Sequence, residues 1–495
     1  MLRLAGAIWV LVRADALIPR EADQQLSPGV RLLARFLRLF SGRQAREGRP
    51  GERLARAFER MGPVAVKLGQ FMSTRGDIFG EVFALDLGRL KDSLPPFPTD
   101  QAKKEIERAL GRPLEELFAE FSEPVAAASL AQAHRARFKD GQDVAVKVLR
   151  PRIERRVARD IRTLEIAADL AAAIPAARRL EPKAFVATIA RALTLELDLR
   201  MEAAAADELG EVLRDAGYMR APKVIWEGVA RRVLTLEWVS GAPLSDPAAL
   251  DEVDRAKTAN NLTRGFLAQA LDHGVFHADM HEGNLFVGPP ADLAVVDFGI
   301  VGRLGPSERR FLAEVLWGFL NRDYERLAET HFKAGYVPAH HDKGAFAQAL
   351  RAVGEPVFGR PVKEVSMGRL LGQLFDITAL FDMRLRPELV LLQKTMVVVE
   401  GVARRIDPDH DIWAAAEPVV RIWIGRELSP AATVRQLAGE ARAAMTALAN
   451  LASEREGAQV QTPAPEKGER LDPWLAFAMG AAAAALAFAL ALWLR

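Results

Sequence analysis

Along the first 110 residues apolar side chains recur every three to four positions, as at Leu32, Leu33, Phe36, Leu37, Leu39 and Phe40, which predicts helices. From Glu123 the period changes. Residues 124 to 134 lead into Arg135-Ala-Arg-Phe138, a Lys139-Asp-Gly-Gln142 turn follows, and Val144-Ala-Val-Lys147-Val-Leu149 alternates. Two β-rich runs joined by an Asp-Gly turn predict a hairpin whose second strand carries one inward lysine, Lys147. Helical spacing returns over residues 153 to 173 and, after Pro182, over 185 to 209. Residues 223 to 226 and 233 to 238 are predicted as strands, and Val239-Ser-Gly-Ala-Pro243 breaks the second. A helix over 255 to 272 precedes a strand-rich stretch to Gly299. Residues 307 to 450 are mainly helical, with apolar stripes such as Phe311, Val315, Leu316 and Phe319.

The two ends behave differently from this body. Arg3 and an apolar run to Val12 resemble a signal peptide, but Arg13 and Asp15 follow at once without a small-residue cleavage site. The first 60 residues hold twelve Arg, no Lys and six acids, a local charge of +6. Arg31, Arg35 and Arg38 interleave with the apolar positions of one helix; such a helix suits an anionic bilayer, or packing on its own domain with a solvated Arg face. Residues 474 to 494 carry no charge over 21 positions and are bracketed by Trp474 and Trp493. About 20 apolar residues cross a bilayer, so this is a predicted C-terminal anchor. Gly480, Ala484, Ala487 and Ala491 share one face of it, and a polar stretch with Pro463 and Pro465 precedes it as a tether.

Composition narrows the class. With 495 residues, half of them hydrophobic, the chain can bury more than one core. A net charge of +2 gives no reason to expect nucleic acid as a partner. The absence of cysteine removes disulfides and thiolate chemistry.

The chemistry concentrates between His277 and Gly299. His277-Ala-Asp279-Met-His281-Glu-Gly-Asn284 reads as a loop, Leu285-Phe-Val287 as a strand, and Leu293-Ala-Val-Val-Asp297-Phe-Gly299 as a second strand with its exit. Phosphoryl transfer needs a divalent cation held against phosphate oxygens and a carboxylate beside the attacking group. Asp279, an amide five residues on at Asn284, and Asp297 beyond a strand supply those parts. The spacing is that of the protein-kinase loop H-R-D-x-x-x-x-N followed by D-F-G, with Ala278 in place of Arg. His277 and His281 stand four apart, a zinc spacing on a helix, but Gly283 and the following strand argue against a helix there.

Other candidates surround this core. Ala126-Ala127-Ala128-Ser129 precede the first run of the hairpin where kinases place a glycine-rich loop; backbone amides can still cradle phosphate, but Cβ atoms limit close approach. Lys147 then corresponds to the strand lysine that orients phosphates, with Glu202 as the helix-borne carboxylate to hold it. Glu237 and Val239, at the exit from the strand, are the expected adenine contacts. Lys67, Gln70, Ser73 and Asp77 fall on one helical face, which suits either a phosphate-facing row or an ordinary solvated surface. Solvent exposure accounts for His340-His341.

Taken together these residues resemble the UbiB family of atypical protein-kinase-like proteins associated with ubiquinone biosynthesis. The resemblance runs from about residue 5 onward, on Lys67-Leu-Gly-Gln70, the alanine-rich loop, Lys147, Glu196-x-Asp198 with Glu202, the catalytic loop and Asp297-Phe-Gly299, in family order. It implies a bilobal α+β kinase-like fold with a helical N-terminal extension (1–110), a small lobe (111–241), a helical large lobe (242–450), a linker (451–472) and a transmembrane helix (473–495). It implies ATP and Mg²⁺ as cofactors, with Asn284 and Asp297 on the metal and Asp279 orienting a nucleophile. Lys67 and Gln70, with Glu196 and Asp198, would gate the site against protein substrates. The activity implied is an ATPase on the cytoplasmic face of the inner membrane, with membrane lipids and ubiquinone-pathway enzymes or intermediates as partners, and a homodimer left open. A lipid or small-molecule phosphotransferase and a nucleotide-binding scaffold are the alternatives. Departures are Met280 and Glu282 where prolines are common, Leu199 where some relatives have an aromatic, and one C-terminal span where two are frequent.

Overall fold

The computed structural model describes residues 2–21, 28–42, 45, 47–73, 80–88, 90, 95–173, 181–358, 373, 377, 380–383 and 386–427. These fall into two compact units, one comprising the chain up to Ala204 with Val224–Trp238, the other Ala205–Lys223 and the chain from Val239 onward.

The first unit opens with helices α1 (Leu2–Arg13), α2 (Pro28–Arg38), α3 (Pro50–Met61), α4 (Pro63–Ser73) and α5 (Glu81–Leu87). Pro50 and Pro63 begin their helices, where the missing N–H has no intrahelical partner to lose. Phe58, Met72, Phe83, Leu87 and Leu90 pack into one core between these helices. Gly69 of α4 is there for packing: a Cβ would stand 2.2 Å from Leu90 Cδ1 and 2.7 Å from Phe58 Cδ2. Helix α2 resolves the two readings of its sequence in an unexpected way. It packs through Ala34 and Leu37, while Leu32 and Leu39 are 71% and 76% exposed and Phe36 is also open.

After α6 (Thr99–Leu110) and α7 (Leu114–Leu117) come β1 (Phe118–Ala127), β2 (Ala131–Phe138) and β3 (Asp143–Leu149), and β4 (Val233–Glu237) completes an antiparallel sheet in the order β1-β2-β3-β4. The predicted hairpin is β2–β3. The preceding run is a separate strand, β1, paired with β2, so Ala126 and Ala127 lie on a strand end instead of in an open loop. Val144, Val146 and Val148 point into a core with Ile106, Phe118 and Phe138. The two-residue period therefore turns Lys147 to the opposite face. Residues 223 to 226 do not form the predicted strand. They make one isolated bridge, Val224 to Leu236, before a 3₁₀ turn at Trp226–Gly228.

Helix α8 (Ile153–Ala172) matches its predicted span, but the helix predicted over 185 to 209 is two, α9 (Pro182–Glu196) and α10 (Leu199–Ala216). The break is at Asp198, whose carboxylate accepts the Arg200 backbone N–H, while Leu199 N–H donates to Arg231 O at 2.9 Å. A short acidic side chain competing for backbone donors favours a helix start over a helix interior.

The second unit contains α11 (Arg255–Ala268), which runs into a π-helical turn, Gln269–His273, and stops at Gly274, whose φ of +69° suits only glycine without strain. Short strands follow: β5 (Ala242–Pro243) pairs with β7 (Leu285–Gly288) and β7 with β8 (Asp292–Val295); β6 (Val275–His277) pairs with β9 (Val301–Arg303). Then come α12 (Pro306–Leu320), α13 (Tyr324–Lys333), α14 (Lys343–Phe358), α15 (Pro387–Ile406) and α16 (Ile412–Glu427). Phe319, Tyr324, Leu327, Phe346, Leu350 and Ile412 form the core of this helical body. Of the two adjacent histidines expected in solvent, His340 is exposed but His341 is mostly covered, with Nε2 3.2 Å from Asp382 and its ring edge on Phe381.

No helix among the described residues is long and apolar enough to cross a membrane. The predicted anchor and its tether, like Asp77, lie outside the described residues.

His331 gives the helical body a pH dependence. It is buried between Phe311 and Phe346, its Nδ1–H donates to Leu327 O at 2.7 Å, and burial pushes its pKa down to about 4. The unfolded chain takes up a proton near pH 6.5 that the folded one refuses. Stability is therefore full above that pH and falls as pH drops from 6.5 to 4, by about 3 kcal/mol in total. Denaturant titrations of the parent and His331→Leu across this range should converge on a flatter profile for the variant; parallel profiles would discount the histidine.

Candidate active site

In the first unit the β3 register places Lys147 opposite Leu234 and Ala133, on the sheet face away from the valine core. Its Nζ lies 2.7 Å from Glu202 Oε1 on the first turn of α10. The side chains are 24% and 11% exposed, so the ammonium is held in place and still accessible. A second lysine–glutamate pair stands in the same unit: Lys67 Nζ of α4 is 3.2 Å from Glu196 Oε2 at the end of α9. Gln70 is half-buried one turn on. Asp198 is held mainly by the Arg200 guanidinium at 2.6 Å, which keeps its carboxyl below the usual range.

The alanine-rich turn is fastened from beneath. Ala128 O accepts from Arg150 Nε and Nη2 at 3.0 and 2.8 Å, and Ala128 N–H donates to Ala131 O. Ser129 is buried. Beside it, Gln132 bonds both the N–H and the carbonyl of Phe97 and donates to His134 Nε2, while His134 Nδ1–H donates to Ser122 O. The turn is thus shaped by a buried polar network that replaces the conformational freedom of glycine. Glu237 sits at the end of β4, opposite Val144.

In the second unit, one buried imidazole links the backbones of Asp279 and Asp297, and Asn284 is tied to Asp279 in turn. His277 is fully buried; its Nε2–H donates to Asp297 O at 2.8 Å and its Nδ1 accepts from Asp279 N–H at 3.2 Å. Burial lowers its pKa, so near neutrality one tautomer satisfies both bonds. Gln269 in the π-turn accepts the His277 backbone N–H. Asn284 Nδ2 donates to Asp279 O at 3.0 Å, and Asn284 O accepts from Val296 N–H. Asp297 has φ +63°, in the left-handed region that aspartate and asparagine tolerate best among non-glycine residues, and its Oδ1 accepts from Gly299 N–H. Val239 is buried at the start of this unit's chain.

These groups fit a magnesium site. A carboxylate and an amide oxygen are hard oxygen donors, and with Asn284 Nδ2 committed to Asp279 O its oxygen is the atom left for a ligand. The two departures from proline are compensated: Met280 is fully buried and Glu282 is ion-paired with Arg405.

Sequence reading missed what α15 contributes. Thr395 Oγ1 donates to Leu391 O of its own helix at 2.9 Å and stands 3.3 Å from Ala278 O, which brings the helix against the loop. Lys394, the preceding residue, is accessible to solvent but stands among enough protein that desolvation lowers its pKa, with the charge of Asp279 acting the other way. An open recess of about 510 Å³ lies between the loop residues His281, Glu282 and Gly283 and the helix residues Val398, Gly401 and Val402. Nothing in the sequence marks Lys394, a lone lysine in an apolar helical run more than 110 residues from the loop.

Residues 89–331 match the ABC1 atypical kinase-like domain, and residues 350–411 match the UbiB helical domain. A relative from Marinobacter nauticus, named probable protein kinase UbiB, is 40% identical over 395 residues, covering 78% of this chain and 72% of its own. One of the same name from Pseudomonas aeruginosa is 36% identical over 496 residues, covering 96% and 93%. The chain belongs to the UbiB family. A third such UbiB relative, from Tolumonas auensis, is 38% identical over 440 residues, covering 87% of this chain and 80% of its own. Among solved structures, a complex of Rv3197 with erythromycin from Mycobacterium tuberculosis shares the fold, with a TM-score of 0.50 and 22% identity over 71% of this chain and 90% of that one. The UbiB assignment makes the chain an atypical kinase-like protein. It also places α15 within the residues that match the UbiB helical domain.

Proposed function

We propose that this UbiB protein is a membrane-associated, ATP- and Mg²⁺-dependent kinase-like ATPase that supports ubiquinone biosynthesis. The observation that carries the reading is one hydrogen-bonded chain in which buried His277 bonds the backbones of Asp279 and Asp297 and Asn284 bonds Asp279 O. Lys147, oriented by Glu202, binds the α- and β-phosphates. Backbone amides of Ala126, Ala127, Ala128 and Ser129 cover the phosphates, and Glu237 and Val239 contact adenine. Asn284 and Asp297 hold Mg²⁺, which when bound neutralises charge on the phosphate oxygens. Asp279 orients the attacking water or hydroxyl and takes its proton. Lys67 with Glu196, flanked by Gln70 and Asp198, restricts access to small acceptors.

The test follows the phosphorus. Purified full-length chain with ATP and Mg²⁺, with and without lipid and quinone-precursor phenols, should release inorganic phosphate. Label appearing on a lipid or phenol instead would make it a phosphotransferase. A ubiquinone level that Asp297→Asn leaves normal would make it a scaffold.

The membrane half of the proposal rests on the uncharged segment 474 to 494 and on the open apolar face of α2. Deleting the chain after Arg470 is expected to release most of the protein from sedimented membranes. Leu32→Ser with Phe36→Ser should weaken residual binding to anionic vesicles by about tenfold. Undiminished membrane recovery of the deleted chain would move the anchoring role to the N-terminal helices.

A further inference from the structure

We infer that Lys394, on the helical domain, is a catalytic residue that takes the oxygens of the transferring γ-phosphoryl group. The inference rests on the ATPase reading above and identifies a group that reading lacks. Transfer of a phosphoryl group builds up negative charge that a fixed cation stabilises. The loop from His277 to Asn284 carries no lysine or arginine. With Lys147 assigned to the α- and β-phosphates, a cation for the γ-phosphoryl group beyond the metal comes from another element, and α15 presents one.

The placement is fixed at both ends of a helical face. Lys394, Val398, Gly401 and Arg405 are spaced four, three and four residues apart, so they share one side of α15. Arg405 pairs with Glu282, Val398 and Gly401 line the recess against His281 and Gly283, and Thr395 Oγ1 stands 3.3 Å from Ala278 O. The register sets Lys394 one turn before Val398, on the face that meets His281 and Gly283, and next in sequence to the Thr395 that touches Ala278. Among the described residues Lys394 has no ion-pair or hydrogen-bond partner, whereas Glu400, Arg404 and Arg405 on the same helix are all paired.

The step balances with the groups named. The oxygen of water or of an acceptor hydroxyl bonds to the γ-phosphorus as the bond from phosphorus to the β,γ-bridging oxygen breaks. The acceptor proton passes to the Asp279 carboxylate, and ADP leaves with the bonding pair. Lys394 keeps its proton throughout and binds a non-bridging γ-oxygen.

The experiment compares full-length parent, Lys394→Gln, Lys394→Arg and Asp297→Asn in ATP turnover, with binding of a non-hydrolysable ATP analogue measured alongside. Lys394→Gln should lower kcat about 100-fold, with KM for ATP and analogue affinity within about threefold of the parent, because the loss falls on the transition state. Lys394→Arg should recover about tenfold of that loss, since it restores the charge with different geometry. Turnover of Lys394→Gln within threefold of the parent overturns the assignment. So does an equal loss in Lys394→Arg and Lys394→Gln, or a loss of analogue binding that matches the loss of kcat, either of which marks a structural role. A parent no faster than Asp297→Asn would overturn the ATPase reading and the assignment together, and is recognisable as that.

Discussion

Asp297→Asn is expected to lower ATP turnover about 1000-fold while leaving the fold intact. The substitution keeps the shape of the side chain and its acceptor for Gly299 N–H, and asparagine tolerates the φ of +63° as well as aspartate does. What it removes is a negative charge from the proposed metal position. His277 donates to the backbone carbonyl of residue 297, not to its side chain, so the loop's central hydrogen bond survives. The expected combination is an unchanged unfolding midpoint, retained nucleotide affinity in the absence of Mg²⁺, and lost stimulation by Mg²⁺. A variant that kept Mg²⁺-dependent turnover would remove Asp297 from the site.

The second large effect is expected from Lys147→Met, which should lower turnover about 100-fold, with Glu202→Gln costing about tenfold. The ranking follows from the proposed roles, in which the lysine meets phosphate and the glutamate aims it. Since the two act as one unit at 2.7 Å, the double variant should fall no further than Lys147→Met alone. Additive losses in that double-mutant cycle would mean that Glu202 has a separate task. Either single change removes this partly buried ion pair, so a small drop in stability is expected beside the kinetic loss.

Legibility of the site in sequence tracked how local its chemistry is. The spacing from Asp279 to Asn284 and the strand before Asp297 were readable because one loop and two short strands carry all three groups. Lys147 was readable from alternation along β3, since valines at every second position leave the lysine on the other face. The break at Asp198 was not, because it depends on Arg231 O arriving from a distant segment to bond Leu199 N–H. The strand β1 was obscured for a similar reason. Its burial alternates poorly, with bulges between Phe118 and Glu120 and between Pro124 and Ala126, and a two-residue period does not survive a bulge.

Thr395 and Lys394 lie beyond any such reading. They reach the catalytic loop only because α15 is packed against α11 and pinned at Ala278 and Glu282.

The sequence by itself determined the kinase-like order of elements and marked the carboxylates and the lysine of the proposed site, because each is written in short-range spacing. Tertiary structure alone decided how those groups are held: the hydrogen bonds of His277, the outward apolar face of α2, and the lysine that α15 carries next to its contact with the loop. Those depend on contacts between segments far apart in the chain, and on which polar groups burial leaves without water, neither of which a linear pattern encodes.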